Sequence, residues 1–162
     1  MKERLSDVLK QAVRTGLSNV HTCIPAKVVE FDSDEAKIRA RPLIRRRRAD
    51  GNVVDLPDAH EVPVQYPSTA AACITYPLHA DDTGILIFAE RNIERWLDRG
   101  GISDPPSSRR FDFTDAIFIP GVWPFDDAPE IIDDAMLVKY EDSRIELRSD
   151  KVVINGHLEV DA

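Results

Sequence analysis

Apolar residues come in short bursts along this chain, and turn signals separate the bursts. Two of them, Ile85-Leu86-Ile87-Phe88 and Ala116-Ile117-Phe118-Ile119, are continuous and read as buried strands. Between them the spacing predicts a short helix over 91–98 with Ile93, Trp96 and Leu97 on one side and Arg91 and Arg95 outward. Gly100-Gly101 and a Pro/Ser/Arg loop follow, and Pro120-Gly121 closes the second strand. Upstream, 26–31 and 36–44 alternate or run apolar around Asp32-Ser33-Asp34-Glu35, an acidic turn by composition. Val53-Val54-Asp55-Leu56, 62–66 and 72–76 read as further strand pieces. Five or so strands, with a helix between the last two long ones, is the order of a small OB-type barrel. Its expected core includes Ile85, Ile87, Trp96 and Phe118.

The two ends have other periods. Residues 3–15 place Leu5, Val8, Leu9, Ala12 and Val13 on one helical face, with Gly16 at the helix stop. The stretch 125–134 is acidic and proline-punctuated, the composition of a linker. Beyond it, Ile145 with Leu147, Val152 with Ile154, and Leu158 with Val160 alternate as apolar pairs, with turns at Ser149-Asp150 and Asn155-Gly156. Such short strands, each with one apolar face, are too few to bury a core. The economical solution is several copies that close one another's edges. These six residues are therefore expected to form the core of a trimeric tail, and Val153 to face away from it. The expected organisation is an N-terminal helix over 1–19, an OB-fold collar domain over 20–124, the linker over 125–134 and a spike segment over 135–162. The fold class is all-β, with a short intertwined trimeric β-helix or β-prism as its tail.

Composition narrows the function. With 43% hydrophobic and 31% charged residues the 162-residue chain has the means to fold, and a net charge of −8 opposes general binding to phosphate backbones. The run Arg45-Arg46-Arg47-Arg48 has no interleaved aromatics for base stacking. Its expected role is a solvated strand end or ion pairing with acids of a neighbouring subunit. The two cysteines, Cys23 and Cys73, are too few for a disulfide scaffold and read as free, mostly buried thiols. Neither a membrane span nor a signal peptide is legible, so assembly in a cytoplasm is expected. No GxSxG, no phosphate loop and no metal spacing among His21, His60, His79 and His157 occurs. His21 and Cys23 lie two apart, a weak arrangement for nucleophilic catalysis. No enzyme, no catalytic residue, no cofactor and no metal site is expected.

The segment 84–125 resembles the N-terminal domain of central spike proteins of contractile phage tails. The elements that carry the resemblance are Gly84-Ile85-Leu86-Ile87-Phe88, the helix Arg91 to Leu97 with Gly100, and Arg110 before Asp115-Ala116-Ile117-Phe118-Ile119-Pro120-Gly121-Val122-Trp123-Pro124. Fainter likeness reaches back through Thr22 to Val28, so that about 20–125 is covered. The resemblance implies a trimeric OB-fold collar, attached to a baseplate hub protein and continued by a three-chain β-helix that helps pierce the host envelope. It implies a virion location in the tail baseplate. Members of this family often carry an iron ion at the spike tip, held by histidines in an HxH pair. Here only His157, followed by Leu158-Glu159, lies in the tail, so no iron site carries over. A short spike would have a blunt tip or a separate capping protein. The alternatives are the spike of a phage-derived bacteriocin particle, or an OB-fold module for single-stranded nucleic acid or oligosaccharide.

Overall fold

The computed structural model describes residues 2–17, 20–48 and 50–157. The chain divides into two compact units, Met1–Val122 and Trp123–Ala162.

In the first unit, α1 (Lys2–Leu17) precedes β1 (Cys23–Asp32), β2 (Lys37–Pro42), a small ribbon of β3 (Arg46–Arg47) with β4 (Val53–Val54), and β5 (Ala59–Pro63). Then come β6 (Thr83–Phe88), the short helix α2 (Glu94–Arg99) and β7 (Ala116–Pro120). Five strands form one curled antiparallel sheet in the order β5-β2-β1-β6-β7. Its two edges approach each other. Val64, just after β5, bridges Phe118 in parallel, and Gln65 N–H donates to the Phe118 carbonyl at 2.9 Å. The result is an all-β, partly closed barrel, as the strand order in the sequence predicts.

The β1–β2 connection is the acidic turn expected there. The Asp34 N–H donates to Asp32 Oδ1 at 2.9 Å, and Ala36 takes the left-handed conformation that ends the turn. Alternate residues fill the barrel from four strands, Ala26 and Val28, Ile38 and Ala40, Leu86 and Phe88, Ala116 and Phe118, and β5 adds Ala59 and Val62, three apart because its pairing shifts at an irregularity where Glu61 takes positive φ. Small residues at Ala26, Ala40, Ala59 and Ala116 leave room for the Phe118 ring, which is fully buried. Gly84 belongs to the same fit. A Cβ there would collide with the Phe118 ring and the Ile119 carbonyl oxygen.

Three expectations for the core change. Leu86 and Phe88 face inward on β6, whereas Ile85 and Ile87 face outward and are only half-buried. Both faces of that strand are apolar, so period-2 reading had no phase to choose. Trp96 is 51% exposed on α2, which buries none of its residues. The anchor of this segment is polar instead. Asp115, buried, accepts from Arg109 Nε at 3.3 Å and Nη2 at 3.2 Å and from the Ile93 N–H at 3.3 Å. Buried Asn92 donates to Ser107 and accepts from the Glu94 N–H, so the loop is pinned where a packed tryptophan was expected. Cys23 and Cys73 are exposed, not buried: Cys23 is an outward position of β1 and Cys73 sits in a loop. The stretch 72–76 forms no strand. It is tied instead by the Ser68–Cys73 bridge, by the Ile74 N–H donating to the Pro67 carbonyl and by the Tyr66 hydroxyl donating to the Tyr76 carbonyl.

The second unit holds a 3-10 turn (Phe125–Asp127) and a three-stranded antiparallel meander: β8 (Met136–Tyr140), β9 (Ser143–Leu147) and β10 (Val152–Asn155), in the order β10-β9-β8. Strand β8 was not among the expected tail strands: Met136, Val138 and Tyr140 recur at every second position, but Leu137 between them is apolar too and blurs the alternation. The third pair expected from the sequence, Leu158 and Val160, lies outside the described residues.

Candidate assembly interface

The meander sorts its residues by face because side chains alternate along a strand and cross-strand partners share a side. Val138 pairs with Ile145, and Ile145 with Ile154; Met136 pairs with Leu147, and Leu147 with Val152. These six side chains, together with Tyr140, form one continuous apolar face, and all of them are exposed. Val138 is 57% and Ile154 45% accessible in the single chain. The sequence-identified residues Ile145, Leu147, Val152 and Ile154 thus stand side by side, and Val153 lies on the other face, paired with Glu146.

That other face is mixed: Leu137 and Val153 flank Glu146 across the strands, and Lys139 and Asn155 flank Arg144. Glu146 is only 4% exposed and accepts from Arg148 Nη2 at 2.7 Å and Nε at 3.0 Å. The hydrogen bonds from Arg148, with the nearby Arg144 and Lys151 charges, hold its carboxyl below the usual range against the opposing effect of desolvation. Arg144 Nε lies 3.2 Å from Glu146 Oε1 but makes no aligned hydrogen bond. Glu130, from the segment before β8, bridges Lys139 at 3.0 Å and Arg144 at 3.5 Å. An isolated sheet in water is expected to bury its apolar face and solvate its polar one. Here the apolar face is exposed, while Glu146 on the other face is buried.

The other candidates from the sequence are dispersed. The arginine run becomes a strand end. Arg46 and Arg47 form β3, Arg45 pairs with Asp55 at 2.8 Å, and Arg47 donates to the Gly51 carbonyl at 3.3 Å. Arg46, Arg47 and Arg48 line an open groove that they share with Gln11 and Arg14 of α1. The α1 residues Leu5, Val8, Leu9 and Val13 are exposed along one helical face. His21 lies with its ring 5.3 Å from that of Phe88 and 5.5 Å from that of Phe113, while Cys23 is on the outward side of β1. His79 is near Asp82 at 3.9 Å, and His60 is exposed on β5. Among the described residues no group of three or more His, Cys, Asp or Glu is placed to hold a metal ion, and no helix is long and apolar enough to cross a membrane.

No curated protein matches the chain significantly. A family model described as the phage protein Gp138 N-terminal domain matches residues 24–121, which run from the start of β1 to just past β7 and include every strand of the barrel. That span is more than half of the 162 residues, and the chain belongs to the Gp138 N-terminal domain family of phage proteins.

Proposed function

We propose that the protein is the central spike of a contractile phage tail baseplate: a homotrimer whose barrel units form an OB-fold collar on the tail hub and whose tails form a rigid point that helps pierce the host envelope. Family membership supports a phage structural protein with a virion-associated location. The observation that carries the finer reading is the apolar face of the β8–β10 meander, where Met136, Val138, Ile145, Leu147, Val152 and Ile154 stand side by side and are all exposed among the described residues.

A face of this kind draws on the hydrophobic effect only when another surface meets it. Three copies turned toward a common axis cover one another and leave the arginine- and glutamate-bearing faces in water. Within one chain the strands pair as neighbours in a meander. This favours a β-prism of three sheets packed face to face over strands wound from three chains. Such a tip needs no reactive group; its stiffness would come from packing. A separate capping protein remains a partner of this reading, as does the host envelope.

Multi-angle light scattering at micromolar concentration tests it: three times the chain mass is expected, and a stable monomer overturns it. The rival reading, a module for single-stranded nucleic acid or oligosaccharide, needs aromatic platforms on the outer barrel face. The outward positions of β2 carry Lys37, Arg39 and Arg41, which pair with Glu35, Glu61, Glu30 and Asp58. Retardation of single-stranded DNA at low salt would favour that rival; none is expected.

A further inference from the structure

A strongly basic groove of about 910 Å³ lies between α1 and the β3–β4 ribbon of this acidic chain. Its described lining sets four arginines, Arg14, Arg46, Arg47 and Arg48, against one acid, Asp55. That acid is already engaged, 2.8 Å from Arg45 Nε. Arg47 donates to the Gly51 carbonyl, a neutral group that leaves its charge uncancelled. The chain as a whole carries −8, so this local positive excess runs against the average. The rest of the lining is partly apolar: Val54, which stands opposite Arg46, and Leu56 are half-buried, and Pro57 lies beside them. No aromatic ring is among the described lining residues.

Strand register places the groove at one end of the barrel. Pro42, Ala26, Gly84 and Pro120 stand in one cross-strand row. Past this row β2 heads toward the start of β1, where the Leu43 N–H donates to the Pro25 carbonyl at 2.9 Å, and the chain continues into β3. Strand β7 heads the opposite way. The Gly121 N–H donates to the Thr83 carbonyl at 3.0 Å, level with Lys27. The arginine ribbon thus leaves the sheet at the end where the chain enters it from α1, and the chain departs after β7 from the other end.

We infer that this groove is a docking site for an acidic segment of a different protein, one that mixes carboxylates with aliphatic side chains. The inference deepens the hub-docking reading above, and rests on it only where ring symmetry is used. Guanidinium forks match carboxylates two bonds at a time. Val54, Leu56 and Pro57 offer aliphatic side chains a contact that a polyphosphate could not use. Without aromatic rings the groove lacks the stacking platforms of single-stranded nucleic-acid sites. A second copy is a poor source of the acid. In a closed three-fold ring every copy presents the same groove at the same end. The acidic stretch 125–134 begins from the opposite end of the barrel strands. The matching carboxylates therefore come from another protein.

Fluorescence anisotropy with the full-length protein at low salt tests this, using a fluorescein-labelled peptide of glutamates and leucines. Its glutamine counterpart and an oligothymidylate of equal charge run beside it. The acidic peptide is expected to bind at least about tenfold more tightly than either. Arg46→Gln with Arg48→Gln should weaken it about tenfold, and Arg14→Gln, on the α1 wall, about threefold, as lost exposed ion pairs do. Arg95→Gln makes the same charge change on α2 and should leave the affinity within about twofold. Circular dichroism of each variant should match the parent. Peptide affinity that survives the groove variants, or falls as far in Arg95→Gln, overturns the inference. Oligothymidylate bound as tightly as the peptide also overturns it and gives the groove to nucleic acid. No peptide binding leaves the run a solvated strand end and overturns it too. By light scattering the Arg46→Gln, Arg48→Gln chain should keep the parent's mass; a trimer lost there would make a second copy the occupant and overturn the inference. A trimer that ignores the peptide leaves the spike reading standing. A monomer that binds it through the groove overturns the spike reading and supports this one.

Discussion

The barrel and the tail are both antiparallel sheets built from alternating strands, yet they differ in where the apolar side ends up. The barrel curls its sheet until β5 and β7 meet, so that Val28, Ile38, Val62, Leu86 and Phe118 bury one another within a single chain. Among its described residues the tail has three short strands, too few to curl, and their apolar face is exposed. Closure is thus an intrachain property in one unit and, on the proposed reading, an intermolecular one in the other. The same alternation yields a self-sufficient core in the barrel and an exposed apolar face in the tail, and strand number decides between them.

The largest expected effect breaks the tail's side of the contrast. Ile154→Lys puts an ammonium on the apolar face in every copy, and three unpaired like charges around one axis are incompatible with burial. Light scattering should show the trimer lost. Val153→Lys, one residue away but opposite Glu146, should keep the trimer mass and lower its melting temperature little. Equal effects would mean that the two faces are not distinguished by assembly.

Next comes the barrel. Phe118→Ala should cost about 3–5 kcal/mol in urea unfolding of the barrel, as large-to-small core changes do. Trp96→Ala, on an exposed helix, should stay within about 1 kcal/mol. A chain truncated after Val122 should still fold and should lack the tail-driven trimer. If Phe118→Ala instead abolished the trimer while the barrel stayed folded, the division of labour would be wrong. Gly84→Ala should follow at about 1–3 kcal/mol, because the new methyl has to displace the Phe118 ring or the β7 backbone.

The smallest expected effect is on the charged side of the barrel. A hydrogen bond from Arg41 holds the Asp58 carboxyl below its usual range, reinforced by the Arg41 and Arg39 charges and opposed by desolvation. A carboxylate whose pKa is depressed on folding stabilises above its unfolded value of about 4. That contribution is lost as pH falls through the lowered native value. Asp58→Asn should therefore flatten the acid limb of the melting-temperature profile below about pH 4. It should change stability at pH 7 by about 1 kcal/mol or less, since Arg41 is half-exposed.

Legibility follows the same division. Where strands alternate cleanly, the sequence is sufficient: Ile145/Leu147 and Val152/Ile154 fall on one face and Val153 on the other, because side-chain direction in a strand has a period of two. The acidic β1–β2 turn and the buried Phe118 are likewise readable. Strand β8 is less legible, because Leu137 interrupts the Met136/Val138/Tyr140 alternation, and the expected tail core begins only at Ile145 and reaches to Val160, beyond the described residues. In β6 the period carries no information, since GILIF is apolar on both sides, and choosing Leu86 and Phe88 over Ile85 and Ile87 requires the register against β1 and β7. Trp96 looks like core because it is large and apolar. Only the tertiary structure shows that Asp115, Arg109 and Asn92, distant in sequence and unremarkable singly, anchor that segment by hydrogen bonds instead. Local pattern alone determines element type, turn chemistry and the two-sidedness of alternating strands, since these depend on near neighbours. Which side faces inward, and whether one chain suffices to cover it, depends on long-range pairing and on the number of strands available to close, and those are properties of the folded sheet.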